Sequence, residues 1–313
     1  MNPYNITDAA VLEVLNQHCL YPTIINKLPR SGQRQVFEVE FPSGKESILK
    51  FVDVSPYHTH QRLEWNELSL DDLEQEKKYE IEANSKRIVR ELQASKKCPI
   101  LPQLEIIEDY QTYIKDPYHF IYYFETKFEG QTLNNSELYH QEQGIEAVIQ
   151  FLLQMVIQIK VMHDAGYVHR DLTPRNIIYN QGTFKIIDAG LVKSNEDESL
   201  TATQALIGTP RFMAPEQEKR TSDYTWDFRT DLYSIGLIAI EIFLPVTRYH
   251  DKRQKRDLHY VLQLWRDKDG SSQSMLLFSK VITRLAIEER HRRWSDLEEL
   301  LNVLENLTGE EVR

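Results

Sequence analysis

The segment His169-Arg170-Asp171-Leu172-Thr173-Pro174-Arg175-Asn176 places a carboxylate and a carboxamide five residues apart on what reads as one loop. Phosphoryl transfer asks little covalent chemistry of a protein. It asks for a carboxylate that orients a hydroxyl and accepts its proton, and for oxygen ligands that hold magnesium on the phosphates. Asp171 suits the first role and Asn176 the second. A second carboxylate follows the strand-like Phe184-Lys185-Ile186-Ile187: Asp188, in Asp188-Ala189-Gly190, is suited to chelating the magnesium that bridges the phosphates. His169-Arg170-Asp171 alone could be a chance surface tripeptide. The helix before it and the strand after it make that reading a poor one.

Two further segments follow in order: Gly208-Thr209-Pro210-Arg211-Phe212-Met213-Ala214-Pro215-Glu216, and Asp231-Leu232-Tyr233-Ser234-Ile235-Gly236 at the head of an apolar helix. Taken together the motifs resemble those of eukaryotic-type (Hanks-type) protein kinases, over nearly the whole chain from about residue 24 to 300. The resemblance implies an α+β, bilobal fold with a small β-rich N-lobe carrying one long helix and a larger, mainly helical C-lobe. It implies ATP and Mg2+ as cofactors and a protein as substrate. Thr209 resembles the residue typical of serine/threonine kinases and joins Asp171 and Arg170 in the catalytic set. Glu216 is expected to pair with Arg293, and Asp231 to hold the backbone of the catalytic loop. Arg170 and Lys193 could take a phosphate on Ser199, Thr201 or Thr203, so autophosphorylation is expected there; a flexible polar loop is the plain alternative.

The N-terminal part departs further from the family pattern. Lys50, on Ile48-Leu49-Lys50, resembles the lysine that grips the α- and β-phosphates. The loop that should cover them, Leu28 to Val36, has Gly32 as its only glycine. Val36 and Ile48 are expected to pack on the adenine from above and Ile178 from below. Glu125 to Phe128 is the expected adenine-binding backbone. The carboxylate partner of Lys50 is assigned to Glu82 on the long helix, although the face counted back from Ile88, Val89 and Leu92 falls on Ser85. A solvent-facing Glu82 is the competing reading.

The elements that must position these residues are legible in outline. Thr7-Asp8 before Val11, Leu12, Val14 and Leu15 predicts a short capped helix. A hairpin is expected from Val36–Phe41 and Ser47–Val52 around Pro42-Ser43-Gly44-Lys45, with a second strand pair near Leu104–Glu108 and Phe120–Lys127. Between them lie a polar insertion, about 53–70, with His58 and His60, and a charged helix from Asp71 to about Ser95. The apolar spacing of Phe151, Leu152, Met155, Val156, Ile159 and Met162 marks a buried helix. Further helices are expected at Leu232–Phe243, Leu258–Trp265, Met275–Ala286 and Trp294–Leu307. The boundary between lobes is placed at 128/129.

The chain has 313 residues, 41% hydrophobic and 27% charged, with net charge -11. That balance argues against nucleic acid or an anionic membrane as partner. The longest apolar stretch, Tyr233 to Pro245, is broken by Glu241 and too short for a membrane span. Cys19 and Cys98 show no pairing pattern. A cytoplasmic protein is expected, of unspecified oligomeric state. The expected function is ATP-dependent phosphorylation of protein Ser/Thr hydroxyls. Ala189 in place of the usual Phe and the glycine-poor loop supply the alternative, a pseudokinase serving as a nucleotide- or protein-binding module. A small-molecule kinase is a more distant rival, because the Gly208–Glu216 segment is not expected of one. Thr173, where serine/threonine kinases usually carry lysine, and Arg175, which looks like the tyrosine-kinase arrangement, pull against the Gly208-Thr209 signal. The variant loops look more like those of bacterial or other divergent members.

Overall fold

The computed structural model describes residues 6–18, 20–28, 33–57, 70–115, 117–188, 193–194, 211–218, 227–251, 254 and 256–308. The chain divides into two compact units, Met1–Lys127 and Phe128–Arg313.

The first unit is built on an antiparallel sheet of β1 (Thr23–Lys27), β2 (Arg34–Glu40), β3 (Glu46–Asp53), β4 (Leu104–Glu105), β5 (Gln111–Lys115) and β6 (Tyr118–Thr126). The order is β1-β2-β3-β6-β4, with β5 also on β6. Side chains alternate between faces, and residues opposite one another share a face. Phe37, Leu49 and Phe124 are in register, so they point together. They build one core with Phe51, Tyr122 and the helix α1 (Asp8–Gln17), which inserts Val11, Val14 and Leu15. Thr7 caps α1 by accepting from the Ala10 N–H, as its sequence suggests. The opposite face sets Val52, Ile121 and Tyr123 against Ile88 and Leu92 of α2 (Leu70–Lys97). Asp71 and Asp72 in the first turn of α2, and Lys96 and Lys97 in its last, complement the helix dipole. Strand β5 was not expected. It is largely polar and exposed along an edge, so it carries no apolar alternation to read.

The second unit centres on α4 (Ile145–Asp164), which follows the short α3 (Glu137–His140). Among the described residues α4 is the one helix with the length and apolar character of a membrane span, more so than the stretch from Tyr233. Over half of that window is buried, including Phe151, Leu152, Met155 and Val156. Around it pack α6 (Phe228–Phe243) and α10 (Leu297–Thr308); α5 (Pro215–Glu218), α7 (Leu258–Lys268), α8 (Ser272–Leu277) and α9 (Thr283–Ala286) are further helices of the unit. The expected Met275–Ala286 helix is interrupted by a π-turn at Phe278–Ile282, where Thr283 Oγ1 donates to the Phe278 carbonyl at 3.0 Å. The last helix begins at Leu297 and not at Trp294, because Arg293 is extended and drawn into a buried ion pair. A small sheet joins β7 (Gln131–Thr132), β9 (Ile177–Asn180) and β10 (Thr183–Ile186). After α4 the chain runs through β8 (Tyr167–Val168), which pairs with β11 (Lys193–Ser194). Gly130 lies so close to β9 that a Cβ would sit 2.4 Å from the Tyr179 carbonyl oxygen, and its φ is 118°. Glycine is required there.

Candidate active site

In the second unit the loop His169–Asn176 is fixed by side chains that bond its backbone. Asp231, buried at the head of α6, accepts from the His169 N–H at 2.9 Å and the Arg170 N–H at 2.8 Å. Burial raises the Asp231 carboxyl above its usual range, against the pull of His169 and the two N–H donors. Gln217, on α5, donates to the Arg170 carbonyl at 2.8 Å while its oxygen accepts from the Ala214 N–H at 3.0 Å. The Arg170 peptide is therefore gripped on both sides, in a left-handed conformation with φ 68°. That grip holds a backbone shape that a free arginine would leave.

Asn176 ties Asp171 to the segment that follows β10 and leads into Asp188. Its Nδ2 donates to the Asp171 carbonyl at 2.8 Å and lies 3.4 Å from Asp171 Oδ2. Its own carbonyl accepts from the Ile187 N–H at 2.9 Å, and the buried His169 ring meets the Ile187 carbonyl at 3.3 Å. Asp188 follows at once, partly buried, with φ 62°. One hydrogen-bonded frame thus links Asp171, Asn176 and the backbone entering Asp188. Thr173 is buried; its hydroxyl accepts from the Arg175 N–H and caps the turn Pro174–Asn176. Arg175 is exposed.

The expected Glu216–Arg293 pair is present and bidentate, at 2.6 and 3.0 Å. Arg293 also donates to the carbonyls of Ile287, Arg229 and Glu288, and Thr230 donates to Glu216. A second buried carboxylate, Glu241 of α6, accepts from Arg211 at 2.6 and 2.9 Å and from the Tyr139 hydroxyl. Sequence reasoning saw Glu241 only as a break in an apolar stretch. Its position inside that stretch, with Arg211 in the motif before Glu216, was the available signal. Gln217 was missed because nothing local marks it. Ile178 is partly buried on β9, opposite Lys185, whose ammonium lies 5.7 Å from the Phe128 ring.

In the first unit, register places the named residues together. Val36 is opposite Lys50, Lys50 is opposite Tyr123, and Ile48 is opposite Glu125. All five therefore share the α2 face of the sheet. Val36 and Ile48 are partly buried there, and Lys50 is buried. The Lys50 ammonium meets Glu125 Oε1 at 2.7 Å. This corrects two expectations. Glu82 is exposed on α2 and is not the partner of Lys50. Glu125 lies inside the sheet, with β3 on one side and β4 on the other, so its buried side chain and not an open backbone is what it contributes. Phe128 opens the second unit. The carboxylate that α2 turns inward is Glu91, one turn after Ile88 on the same face. It accepts from Arg34 and from the Tyr123 hydroxyl at 3.2 Å. Burial raises the Glu125 carboxyl above its ordinary range, with Lys50 pulling it back.

Gly32, Ala189, Gly190, Thr209, His58, His60, Ser199, Thr201 and Thr203 lie outside the described residues, as does the side chain of Lys193.

A strand-rich unit with one long helix, followed by a helical unit carrying these motifs in this order, is the architecture of a protein kinase. The protein kinase domain family matches residues 66–304, and the chain belongs to that family. Among curated proteins it is 32% identical over 123 residues to a probable serine/threonine-protein kinase of Clostridium perfringens, covering 39% of this chain and 18% of that protein. It is 34% identical over 122 residues to the serine/threonine-protein kinase PknL of Mycobacterium tuberculosis, covering 39% and 30%. A probable serine/threonine-protein kinase of Streptomyces coelicolor is 33% identical over 140 residues, covering 43% and 20%. In each case the matched part is less than a third of the relative's length.

Proposed function

We propose that this chain is a cytoplasmic protein kinase that moves the γ-phosphoryl group of ATP to serine and threonine hydroxyls of protein substrates. The observation that carries this reading is the hydrogen-bonded frame of the second unit, in which Asn176 joins Asp171 to the strand leading into Asp188. The similarity to bacterial serine/threonine-protein kinases supports Ser/Thr over Tyr.

In the proposed reaction Asp171 accepts the proton of the substrate hydroxyl as its oxygen forms a bond to the γ-phosphorus. The bond from that phosphorus to the bridging oxygen breaks, and ADP leaves. Asn176 limits the rotation of Asp171. Lys50 holds the α- and β-phosphates. The donor set fits magnesium, a hard cation that takes oxygen ligands and keeps several from water and phosphate. The Asp188 carboxylate and the Asn176 amide oxygen would hold it, the Asn176 nitrogen being committed to Asp171. Magnesium bound there would offset charge on the phosphate oxygens. Thr173, which caps a turn from a buried position, is accounted for by the loop's own structure.

The test is transfer of labelled phosphate from magnesium-ATP, by the purified protein alone and with a generic basic protein, beside Asp188→Asn. Transfer that depends on Asp188 and yields phosphoserine or phosphothreonine is expected. Its absence in both arms would turn the reading to the pseudokinase, and phosphotyrosine would overturn the specificity. Mapping the phosphates between residues 194 and 208 tests autophosphorylation.

A further inference from the structure

Four charged side chains and one phenol meet on the α2 face of the first unit. Arg34, Lys50, Glu91 and Glu125 are all buried, and Tyr123 lies among them. Four acidic and basic groups in one place can pair in two ways. Lys50 could take the helix carboxylate, leaving Arg34 for Glu125, or the reverse. The structure shows the second arrangement. Arg34 is bonded to Glu91, whose other oxygen accepts from Tyr123, while Lys50 is 2.7 Å from Glu125.

The register explains why. Ile48 is opposite Glu125, so Lys50 and Glu125 are diagonal neighbours on one face of adjacent strands, within reach of a long side chain. Arg34 is opposite Val52, toward the end of the sheet where Ile88 and Leu92 of α2 pack, and Glu91 stands between those two in sequence. The planar guanidinium suits the helix carboxylate, and the compact ammonium suits the nearby strand carboxylate.

We propose that Glu125, a residue of the sheet, is the positioning residue for Lys50, and that the helix carboxylate Glu91 serves Arg34 instead. This rests on the reading that Lys50 holds the phosphates of ATP. It also gives the strand β6 a direct hold on nucleotide affinity that does not pass through the long helix. A lysine orientation set within one sheet does not depend on where the helix sits.

The experiment uses the full chain and two readouts. The first is the rate at which an amine-reactive acylating reagent modifies Lys50 without nucleotide, followed by mass spectrometry of the Lys50 peptide. An ammonium held by a carboxylate is a poor nucleophile, so Glu125→Gln is expected to raise that rate several-fold, and Glu91→Gln to change it less than twofold. Glu125→Asp, which keeps the charge, is expected to restore most of the protection. The second readout is KM for ATP against kcat. Glu125→Gln is expected to raise KM about tenfold, the worth of one charge-assisted hydrogen bond, with kcat less affected. Circular dichroism of each variant checks the fold. Faster Lys50 labelling in Glu91→Gln but not in Glu125→Gln, or equal effects of the two, overturns the proposal. Lys50→Met separates the two readings: if it leaves KM for ATP unchanged, the phosphate role of Lys50 fails, while the labelling result still decides its partner.

Discussion

Two buried arginines, one in each unit, face carboxylates in different ways. Arg293 is surrounded by fixed acceptors: both oxygens of Glu216 and the carbonyls of Ile287, Arg229 and Glu288. Arg34 is held by Glu91 within a group that also contains Tyr123, Lys50 and Glu125. Burial opposes the charge of Arg34, and Glu91, Tyr123 and Glu125 together outweigh it, so its pKa stands above the ordinary value. The contrast concerns what a pair is anchored to. Backbone carbonyls have one position once the chain is folded. Side chains on a shared face can be re-paired by rotation. The second unit therefore locks a geometry, and the first holds a set of alternatives with one chosen.

The largest expected effect tests the locked frame. Asp171→Asn leaves the loop's bonds to Asp231 and Gln217 in place but removes the proposed proton acceptor. Phosphate transfer is expected to fall by about 10²- to 10⁴-fold with little change in KM for ATP. A kcat within a few-fold of the parent would show that the frame does not position a base at Asp171.

Next comes the comparison itself. Arg293→Met leaves Glu216 buried with one hydroxyl donor, and about 3–5 kcal/mol of stability is expected to be lost. Arg34→Met leaves Glu91 with Tyr123, and Lys50 close by, so about half that loss is expected. Thermal unfolding of the two variants checks it. Equal losses would mean that the first unit's pairs are as fixed as those of the second.

Smaller is the effect of packing against α6. A Cβ on Gly236 would stand 2.8 Å from the Leu285 Cβ, with backbone of Ala286 at 3.3 Å. Gly236→Ala is expected to cost about 1–3 kcal/mol, a fall of several degrees in Tm. No fall would mean that α6 and the segment behind it can separate.

The smallest concerns Cys98, buried after the end of α2, whose thiol burial pushes up to about 11. Its folded pKa is above the unfolded value, so its contribution to stability is present below about pH 8.5 and lost as pH rises toward 11. Alkylation of the Cys98 peptide by iodoacetamide at pH 8, read by mass spectrometry, is expected to be slow until the protein is unfolded. Rapid labelling would show that the first unit opens near α2.

Much of the second unit was legible because its chemistry is contiguous. Asp171 and Asn176 are separated by one turn of chain, and Asp188 follows a strand that the apolar pattern reveals. The roles of Asp231 and of the Glu216–Arg293 pair came with the resemblance, and the geometry displays both. Gln217 and the Arg211–Glu241 pair were not legible, since each partner is distant in sequence and ordinary in type.

In the first unit the strands and the long helix followed from alternation and helical spacing, and Lys50 from its place on a strand. Its partner did not. Counting along α2 pointed to Glu82 or the face of Ser85, whereas the inward carboxylate is Glu91, beside Leu92. Nor could the chain alone say that Glu125 reaches Lys50, because that depends on how β6 is registered against β3, and a shift of one residue would turn every side chain to the other face. The sequence by itself determined which residues could do the chemistry and which elements carry them. Which buried charge meets which was decided only when strands and helix packed together, since a pairing energy of a few kcal/mol acts over a few ångströms and has no trace in the order of residues.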